Sequence, residues 1–537
     1  MLRSWPLLAA ALLLSSSALA APTVSFESDR LGHLFVRGET PVLRVTVRAD
    51  ESGFRGTLRL QALDAYGRRA GRLGTFVALE PSAAMTHELV LRTKRLGYFA
   101  VSATLARRGQ RHTAHTSAAL VPPPPATPAL DSAVGYYVYP GEDAVAEAPR
   151  IAAQMRLLGI RWVRFTFNWW RDTRGVPPSR ASPRWLDSTA YERWVDAFRA
   201  EGIEVLATLF GTARWASSTT DDVPVAGIPR WGIVAPRDLG DWLHMVRLLA
   251  GRLAGRVRHW EIWNEPDIPQ FWQSSAGEFA TLVRQTAQVL RDVDPDARVV
   301  LNFVPDTAEL DPFEAEVLAS TSDLLDVVGW HYGHAESVAL AHQFLPAMRP
   351  GAAIWDTEAL GAPRRHVSRW LEQRAAGAER IFPFVYRLPF DDAGSGWERF
   401  GMYPVNLDYT PRSDAVALRT LSDLVGDAPA ITRESAGLGY AAFAASGTCC
   451  AGTVVLADMN QLGPTWAGPR AGARLLVEVP KDVRRLVVTD LMGNDTTLRV
   501  RRGRARLRLT GVAVFLRAQA PATLTSVRVV RARAGRR

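Results

Sequence analysis

The chain has 537 residues, of which 47% are hydrophobic, so it is long enough to bury the cores of several domains. Its net charge is +10, but no recognised nucleic-acid-binding motif accompanies the positive charge, which argues against a nucleic-acid partner. The two cysteines are neighbours, Cys449 and Cys450, so they cannot crosslink distant segments and are either free or bridged to each other. No cysteine or histidine lies near them at ligand spacing, so we expect no metal site there.

Residues 1–20 have the pattern of a secretion signal. Arg3 precedes an apolar run from Leu7 to Leu14, and an Ala-x-Ala cleavage site follows at 18–20. A membrane anchor needs ~20 apolar residues, and this run is shorter. No other stretch of the sequence could span a membrane. We therefore expect an exported protein, either periplasmic or secreted.

Residues 22–120 alternate apolar and polar positions over short runs, most clearly at 42–47, 56–60, 87–91 and 98–103. This period of two, with glycine and aspartate between the runs, predicts a small N-terminal β-sandwich. Residues 121–130 contain five prolines and form a stiff linker, which marks a domain boundary.

From residue 131 to 427, predicted strands alternate with amphipathic helices. The strands are expected at 134–138, 162–167, 205–209, 257–263, 299–303, 325–330, 353–355 and 381–385. Eight strand–helix cycles in nearly 300 residues favour a (β/α)8 TIM barrel over a doubly wound sheet.

The chain returns to β-prone runs after this region, which predicts a second β-domain at 430–520. Residues 521–537 are rich in arginine and are predicted to form a solvated, disordered basic tail. Such a tail could contact an anionic polymer or surface by charge.

Two glutamates occupy equivalent places in the predicted barrel. Pro266 ends the fourth strand and leaves Glu265 at its carboxyl end, and Glu358 follows the seventh strand in the same way. A strand-end glutamate is commonly just exposed to water. In a barrel, however, these two ends face each other across the mouth, where a carboxylate pair can hydrolyse a glycosidic bond. Trp263 close to Glu265 would limit its solvation and raise its pKa, as suits a general acid.

The Trp-Asn-Glu-Pro motif at 263–266, together with Glu358, resembles the retaining glycoside hydrolases of clan A. Within the clan the sequence is most similar to family 39, the group of β-xylosidases, α-L-iduronidases and exopolysaccharide hydrolases. The resemblance implies that Glu265 is the acid/base and Glu358 the nucleophile. It also implies that Asn264 binds the sugar 2-hydroxyl and that Arg164, on the second strand, supports the nucleophile.

The same resemblance implies contacts to the sugar and the nucleophile from the end of the sixth strand. His331 fits one of these contacts, and Tyr332 or His334 could supply the other. The eighth strand ends in Phe-Val-Tyr at 384–386, where the clan usually has a tryptophan, which leaves the subsite geometry open. Aromatic side chains near other strand ends could stack on sugar rings, and the candidates are Trp169, Trp215 and Trp263.

The sequence thus predicts an exported retaining glycoside hydrolase that cleaves a β-linked polysaccharide or oligosaccharide and needs no metal or organic cofactor. A transglycosylase acting through the same intermediate is one alternative. An inactive glycan-binding envelope protein is another. A nucleic-acid-binding protein held by its basic tail is a third.

Overall fold

The structure is a computed structural model. It describes residues 21–124, 135–137, 144–172, 189–304, 309–359, 366–387, 405–406, 408–448, 450, 452–459, 473–520 and 522–533. The predicted signal sequence at 1–20, most of the proline-rich linker, and Cys449 lie outside the described residues. Cys450 is disulfide-bonded.

The N-terminal domain consists of two β-sheets around a common hydrophobic core. One sheet has the order β1-β3-β6 and the other β2-β8-β7-β4-β5, and the cluster that includes Leu43, Leu58 and Phe99 lies between them. The strands are β1 (Thr23–Glu27), β2 (Leu34–Val36), β3 (Val42–Arg48), β4 (Phe54–Asp64), β5 (Arg69–Leu79), β6 (Ala84–Val90), β7 (Gly97–Arg107) and β8 (Gln110–Val121).

The central domain contains eight strands in one sheet, and each neighbouring pair is parallel. The sheet runs in chain order from the first strand to the last, and these two strands contact each other. A TIM-barrel-like fold is thereby confirmed. The strands are β9 (Gly135–Tyr137), β10 (Trp162–Asn168), β11 (Glu204–Phe210), β14 (His259–Ile262), β15 (Arg298–Phe303), β16 (Val327–Trp330), β17 (Ala353–Ala359) and β18 (Arg380–Pro383), and a hairpin of β12 (Pro224–Val225) and β13 (Ile228–Pro229) lies between β11 and β14.

Helices connect the barrel strands and bury their apolar faces against them. The helix after β14 begins with a capping box in which Ser275 and Glu278 satisfy each other's backbone amides, as the Ser-x-x-Glu spacing indicates. The helices are α1 (Ala144–Leu157), α2 (Trp169–Asp172), α3 (Thr189–Ala200), α4 (Leu239–Leu253), α5 (Ala276–Val293), α6 (Pro312–Thr321), α7 (Ala335–Ala341), α8 (His366–Ala375) and α9 (Ser413–Leu421).

The barrel strands alternate between two environments. Val163, Ala207 and Leu301 belong to the large core shared with the helices, whereas neighbours such as Trp162 and Leu206 form a separate apolar cluster. Because side chains along a strand alternate between its two faces, this second cluster fills the barrel interior. It lies below the carboxyl-end rim.

The C-terminal domain also has two sheets around one core, with the orders β19-β20-β21-β26-β23-β24 and β25-β22-β27. Its last strand corrects one expectation: 528–533 is not a disordered tail but pairs with β22, because Val529 packs in the core while its arginines face outward. The strands are β19 (Ile431–Gly437), β20 (Tyr440–Ala445), β21 (Thr453–Asp458), β22 (Ala473–Glu478), β23 (Arg485–Thr489), β24 (Asp495–Arg499), β25 (Arg504–Leu509), β26 (Ala513–Ala518) and β27 (Arg528–Arg533).

Direct polar contacts join the three domains. The Ser117 hydroxyl of β8 donates to the carbonyl of Pro411 just before α9, at 2.6 Å. The Asn494 side chain accepts from the Leu96 amide and donates to its carbonyl, at 3.0 and 2.9 Å, which ties the two β-domains together. In the described part of the chain, no helix is both long enough and apolar enough to cross a membrane.

Candidate active site

The turn that follows β14 places Glu265 over the mouth of the barrel. Trp263 and Glu265 have positive φ angles of 70° and 47°, a backbone conformation that few non-glycine residues adopt. Asn302 on β15 holds this turn, because its amide donates to the Trp263 carbonyl at 2.9 Å and its oxygen accepts from the Glu265 amide at 2.8 Å. The direction of the Glu265 side chain is therefore set by the neighbouring strand.

Glu265 is only 3% exposed, and burial raises its pKa to about 7. Its Oε1 lies 2.8 Å from Nδ1 of His331. Burial lowers the pKa of His331 to about 4, so the imidazole is neutral at pH 7 and brings no positive charge to Glu265. Glu265 is thus poised to hold and release a proton near neutral pH.

Glu358, at the end of β17, has different neighbours. Arg164 donates from Nη1 to its Oε2 at 2.9 Å, and the Tyr332 hydroxyl donates to its Oε1 at 2.6 Å. Burial and the neighbouring Glu265 raise the pKa of Glu358, while Arg164 and Tyr332 act in the opposite direction. Because a permanent cation touches Glu358 and not Glu265, we assign the negative charge of the pair to Glu358.

Arg164, on β10, connects β17 with β14 and the turn that follows β14 through one guanidinium group. Besides Glu358, it donates from Nε to Glu261 at 2.6 Å and from Nη2 to the Asn264 side-chain oxygen at 2.7 Å. Glu261 and Arg164 are both completely buried, and Glu261 also accepts from the Thr208 hydroxyl at 2.6 Å. A buried guanidinium with this many acceptors is held in one position. It therefore fixes Glu358 and Asn264 relative to each other.

The two glutamates and His331 are close together. One oxygen of Glu265, one ring nitrogen of His331 and one oxygen of Glu358 all lie within 4.8 Å of one another. Their atom types and spacing could hold a metal ion. The guanidinium of Arg164 and the hydroxyl of Tyr332 already occupy both oxygens of Glu358, however, and the positive charge of Arg164 would repel a further cation.

His331 is oriented from its other side. Its Nε2 lies 3.0 Å from the hydroxyl of Thr357 on β17. A side chain at Gly329 would crowd this contact, because a Cβ there would lie 2.9 Å from the Thr357 hydroxyl oxygen. Tyr332 makes the contact to Glu358, whereas His334 is exposed at the N-cap of α7.

The structure gathers six of the predicted site residues into one cluster: Arg164, Asn264, Glu265, His331, Tyr332 and Glu358. The three predicted tryptophans are not part of this cluster. Trp169 and Trp263 are fully buried and pack edge-on or tilted against Trp242, so neither presents a face on which a sugar could stack. Trp215 is partly exposed and packs against Trp169.

Three residues that shape the site were not predicted from the sequence: Glu261, Asn302 and Thr357. Glu261 offered a signal, because a glutamate within the apolar run of a central strand needs a buried cation as its partner. Asn302 offered a similar sequence signal, because it is the one polar side chain within the apolar run at 299–303. Thr357 offered none, since threonine is common in strands.

Searches against known proteins show what the fold resembles. No protein-family model matches the sequence, and no curated protein matches it. A solved structure of a family 39 glycoside hydrolase from Bacteroides cellulosilyticus aligns with a TM-score of 0.65 at 16% identity, over 91% of this chain and 100% of that one. The chain therefore has the fold of that family 39 enzyme, beyond the barrel alone.

Two further solved structures align less well. A family 30 endoxylanase from Clostridium papyrosolvens gives a TM-score of 0.48 at 12% identity, over 72% of this chain and 96% of that one. A family 30 subfamily 8 xylanase from Clostridium acetobutylicum gives 0.47 at 13% identity, over 72% and 95%. Conclusions about the fold rest on the family 39 structure.

Proposed function

We propose that this protein is an exported retaining glycoside hydrolase that cleaves a β-linked polysaccharide by double displacement. The observation that carries the proposal is a pair of buried carboxyl groups, of which only Glu358 is hydrogen-bonded to the permanent cation Arg164. Glu358 is in contact with Arg164, whereas Glu265 has a pKa of about 7 and a neutral histidine beside it. One group is suited to attack as an anion and the other to donate a proton.

In the first step, a carboxylate oxygen of Glu358 forms a bond to the anomeric carbon as the glycosidic C–O bond breaks. Glu265 gives its proton to the departing oxygen. In the second step, Glu265 takes a proton from water, whose oxygen attacks the anomeric carbon and releases Glu358. Arg164 and Tyr332 hold Glu358 in place in both steps, and Asn264 is positioned to bind the sugar 2-hydroxyl.

The short separation of the two carboxyl groups supports retention over inversion. An oxygen of Glu265 and an oxygen of Glu358 lie within 4.8 Å of each other. Retaining enzymes place their carboxyl groups ~5–5.5 Å apart, whereas inverting enzymes leave ~6.5–9.5 Å for a water molecule. The proximity of these two oxygens is in keeping with the retaining arrangement.

The proposed substrate and location are supported by the sequence alone. The resemblance to family 39 favours a β-linked glycan, with a bacterial exopolysaccharide as our preferred substrate. The signal pattern at 1–20 supports export. A mature amino terminus at Ala21, determined on protein from the native host, would verify cleavage of the signal.

The test is reducing-end release by residues 21–537 from a panel of bacterial exopolysaccharides and plant β-glycans. Glu265→Ala and Glu358→Gln should each lose at least about 100-fold in activity, since each removes a reacting group. Glu316→Gln, which changes an exposed glutamate on α6, should keep full activity. Activity that survived in both site variants would refute the assignment. Binding without cleavage would favour a glycan-binding protein, and longer products would favour a transglycosylase.

A further inference from the structure

A cavity of about 760 Å³ lies between the two β-domains, and its lining is dominated by arginine. Seven arginines line it, together with a single carboxylate, Asp490. Arg68 and Arg95 come from the N-terminal domain, and the other five come from the C-terminal domain. Asp490 is already engaged by Arg95 at 3.4 Å and by the Asn494 amide. Among the described residues that line the cavity, guanidinium groups thus outnumber carboxylates seven to one.

Strand pairing places the five C-terminal arginines on one face of the sheet β25-β22-β27. Arg474 stands opposite Arg508 on one side and Arg533 on the other. The next position on the same face of β22, Leu476, stands between Arg506 and Arg531. Like charges directly opposite each other destabilise a sheet. Only the first row has arginines directly opposite each other, and in the second row Arg506 and Arg531 flank Leu476. The two rows together still place five arginines on one face of the sheet, which suggests that the arginines serve a ligand.

The third row of the same face provides a contrast. There Glu478 stands between Arg504 and Arg528, and it pairs with Arg504 at 2.7 Å. This row does not line the cavity. An acidic residue thus occurs in the row outside the cavity, whereas neither row inside it contains one. The positive charge is concentrated where a ligand could enter.

We propose that this cavity binds an anionic glycan, with its arginines holding the carboxylate or sulfate groups of the sugars. The guanidinium fork matches such groups in geometry and charge. Asn494, Thr496 and Thr510 line the same cavity and can bond sugar hydroxyls, while Leu476 and Leu498 offer apolar contacts. The identification of the ligand as a glycan rests on the proposed function, whereas the charge of the cavity does not depend on it.

The shape of the cavity disfavours other polyanions. A flat membrane surface cannot enter a recess between two domains. Single-stranded nucleic acid is usually held by bases stacked on exposed aromatic rings. Tyr66 is the one aromatic residue among the described residues that line this cavity, and it is 4% exposed, with Arg68 over its ring.

The test is a titration of the full mature chain carrying Glu358→Gln, so that binding is measured without cleavage. Polygalacturonate supplies carboxylates, dextran sulfate supplies sulfates, and dextran is the neutral control. We expect one of the two anionic polymers to bind and dextran not to bind. Arg474→Gln combined with Arg531→Gln should weaken that binding at least about tenfold, since it removes two charge-assisted contacts.

The matched control is Arg504→Gln combined with Arg528→Gln, which removes the same charge from the row outside the cavity. It should weaken binding less than about twofold, because the removal of exposed surface charges usually has only a small effect. The cavity variant should melt no lower than the parent, because it relieves repulsion between arginines. That result would separate loss of binding from loss of folding.

Equal weakening in both double variants would overturn the proposal and leave only non-specific attraction by net charge. Tighter binding to a single-stranded DNA oligomer or to phosphatidylglycerol vesicles, lost in the cavity variant, would overturn the assignment to a glycan. Polymer cleavage by the wild type is scored separately. A protein that binds an anionic polymer but cleaves none would therefore refute the hydrolase proposal, while the proposal that the cavity binds an anionic glycan would stand.

Discussion

At the scale of single residues, Arg164 determines how charge is distributed in the site. It contacts Glu358 directly, while Glu265 faces a neutral His331. Two carboxyl groups that lie so close cannot both be ionised without cost. We therefore expect the cation to decide which of the two ionises first, and this is the basis of the different roles that we propose for them.

Glu265 should set the alkaline limb of the pH profile. Its pKa is about 7, and the first step needs it protonated, so kcat/KM should fall about tenfold per pH unit above that value. The measurement is kcat/KM on a soluble oligosaccharide between pH 4 and 10. A rate that stayed flat to pH 9 would show that Glu265 is not the proton donor.

Tyr332 should keep Glu358 ionised through the hydrogen bond to its Oε1. Tyr332→Phe removes a donor to the charged form, so the pKa of Glu358 should rise and the acid limb should move to higher pH. We expect kcat to fall about 100-fold, by analogy with the loss of one donor to a reacting oxygen. Tyr440→Phe in the C-terminal domain is the control. An acid limb that did not move would mean that Tyr332 does not act on Glu358.

At the scale of secondary-structure elements, a side chain of β15 holds the backbone of the turn that follows β14. Glu265 and Trp263 both have left-handed backbone conformations, and Asn302 bonds the peptide groups on either side of Asn264. Such a conformation costs free energy and persists only where its surroundings impose it. The turn after β14 therefore depends on the neighbouring strand.

Removing the Asn302 side chain should release this turn. In Asn302→Ala, the buried Trp263 carbonyl and Glu265 amide lose their partners, at a cost of about 1–3 kcal/mol. We expect kcat to fall more than 10-fold and KM to change little, because the side chain of Glu265 is no longer held in its orientation. Asn494→Ala is a matched control, since it also bridges backbone groups but lies between the β-domains. It should lower the melting temperature and leave kcat unchanged.

The elements show why the sequence predicted some features and not others. The barrel strands could be predicted because they are short, apolar and followed by helices with recognisable caps, such as Ser275 on α5. Within the predicted β-domain at 430–520, β19 and β24 cannot be recognised as separate strands, because they expose most of their residues and have no apolar alternation. β27 was missed because its charged residues resemble a solvated tail, and only its pairing with β22 reveals the strand.

Within the site, the position of a residue along the chain was enough to predict the two carboxylates but not the residues that hold them in place. Glu265 and Glu358 end their strands, so position along the chain predicts their place on the rim. The tryptophans near strand ends were less informative: Trp169 begins α2 and Trp263 lies in the turn after β14, so strand alternation does not determine where they point, and both are buried against Trp242 of α4. Which face a rim residue takes depends on the turn, and the turn depends on Asn302.

At the scale of the whole molecule, the N-terminal domain is part of the barrel's core. Leu34, Ala119 and Val121 belong to the same hydrophobic cluster as the barrel helices. The Gln154 amide of α1 donates at 2.7 Å to the Tyr409 carbonyl, which lies so close to Gly32 that no side chain would fit there. The domain thus covers apolar surface that the barrel cannot bury by itself.

We therefore expect residues 21–533 to unfold in a single calorimetric transition, because shared cores unfold together. Deletion of residues 21–121 should lower the melting temperature by at least ~10 °C or abolish soluble expression, since several buried apolar side chains become exposed. Two separate transitions, with the barrel unaffected by the deletion, would show that the domain is an independent module.

The most direct test of the central claim is the anomeric configuration of the first product, followed by proton NMR during cleavage of the polymer identified in the panel. A double displacement through Glu358 predicts that the new reducing end first appears with the same configuration as the bond that was cut. Mutarotation then gives the equilibrium mixture. A first product of the opposite configuration would contradict the account, because it would require a single displacement by water.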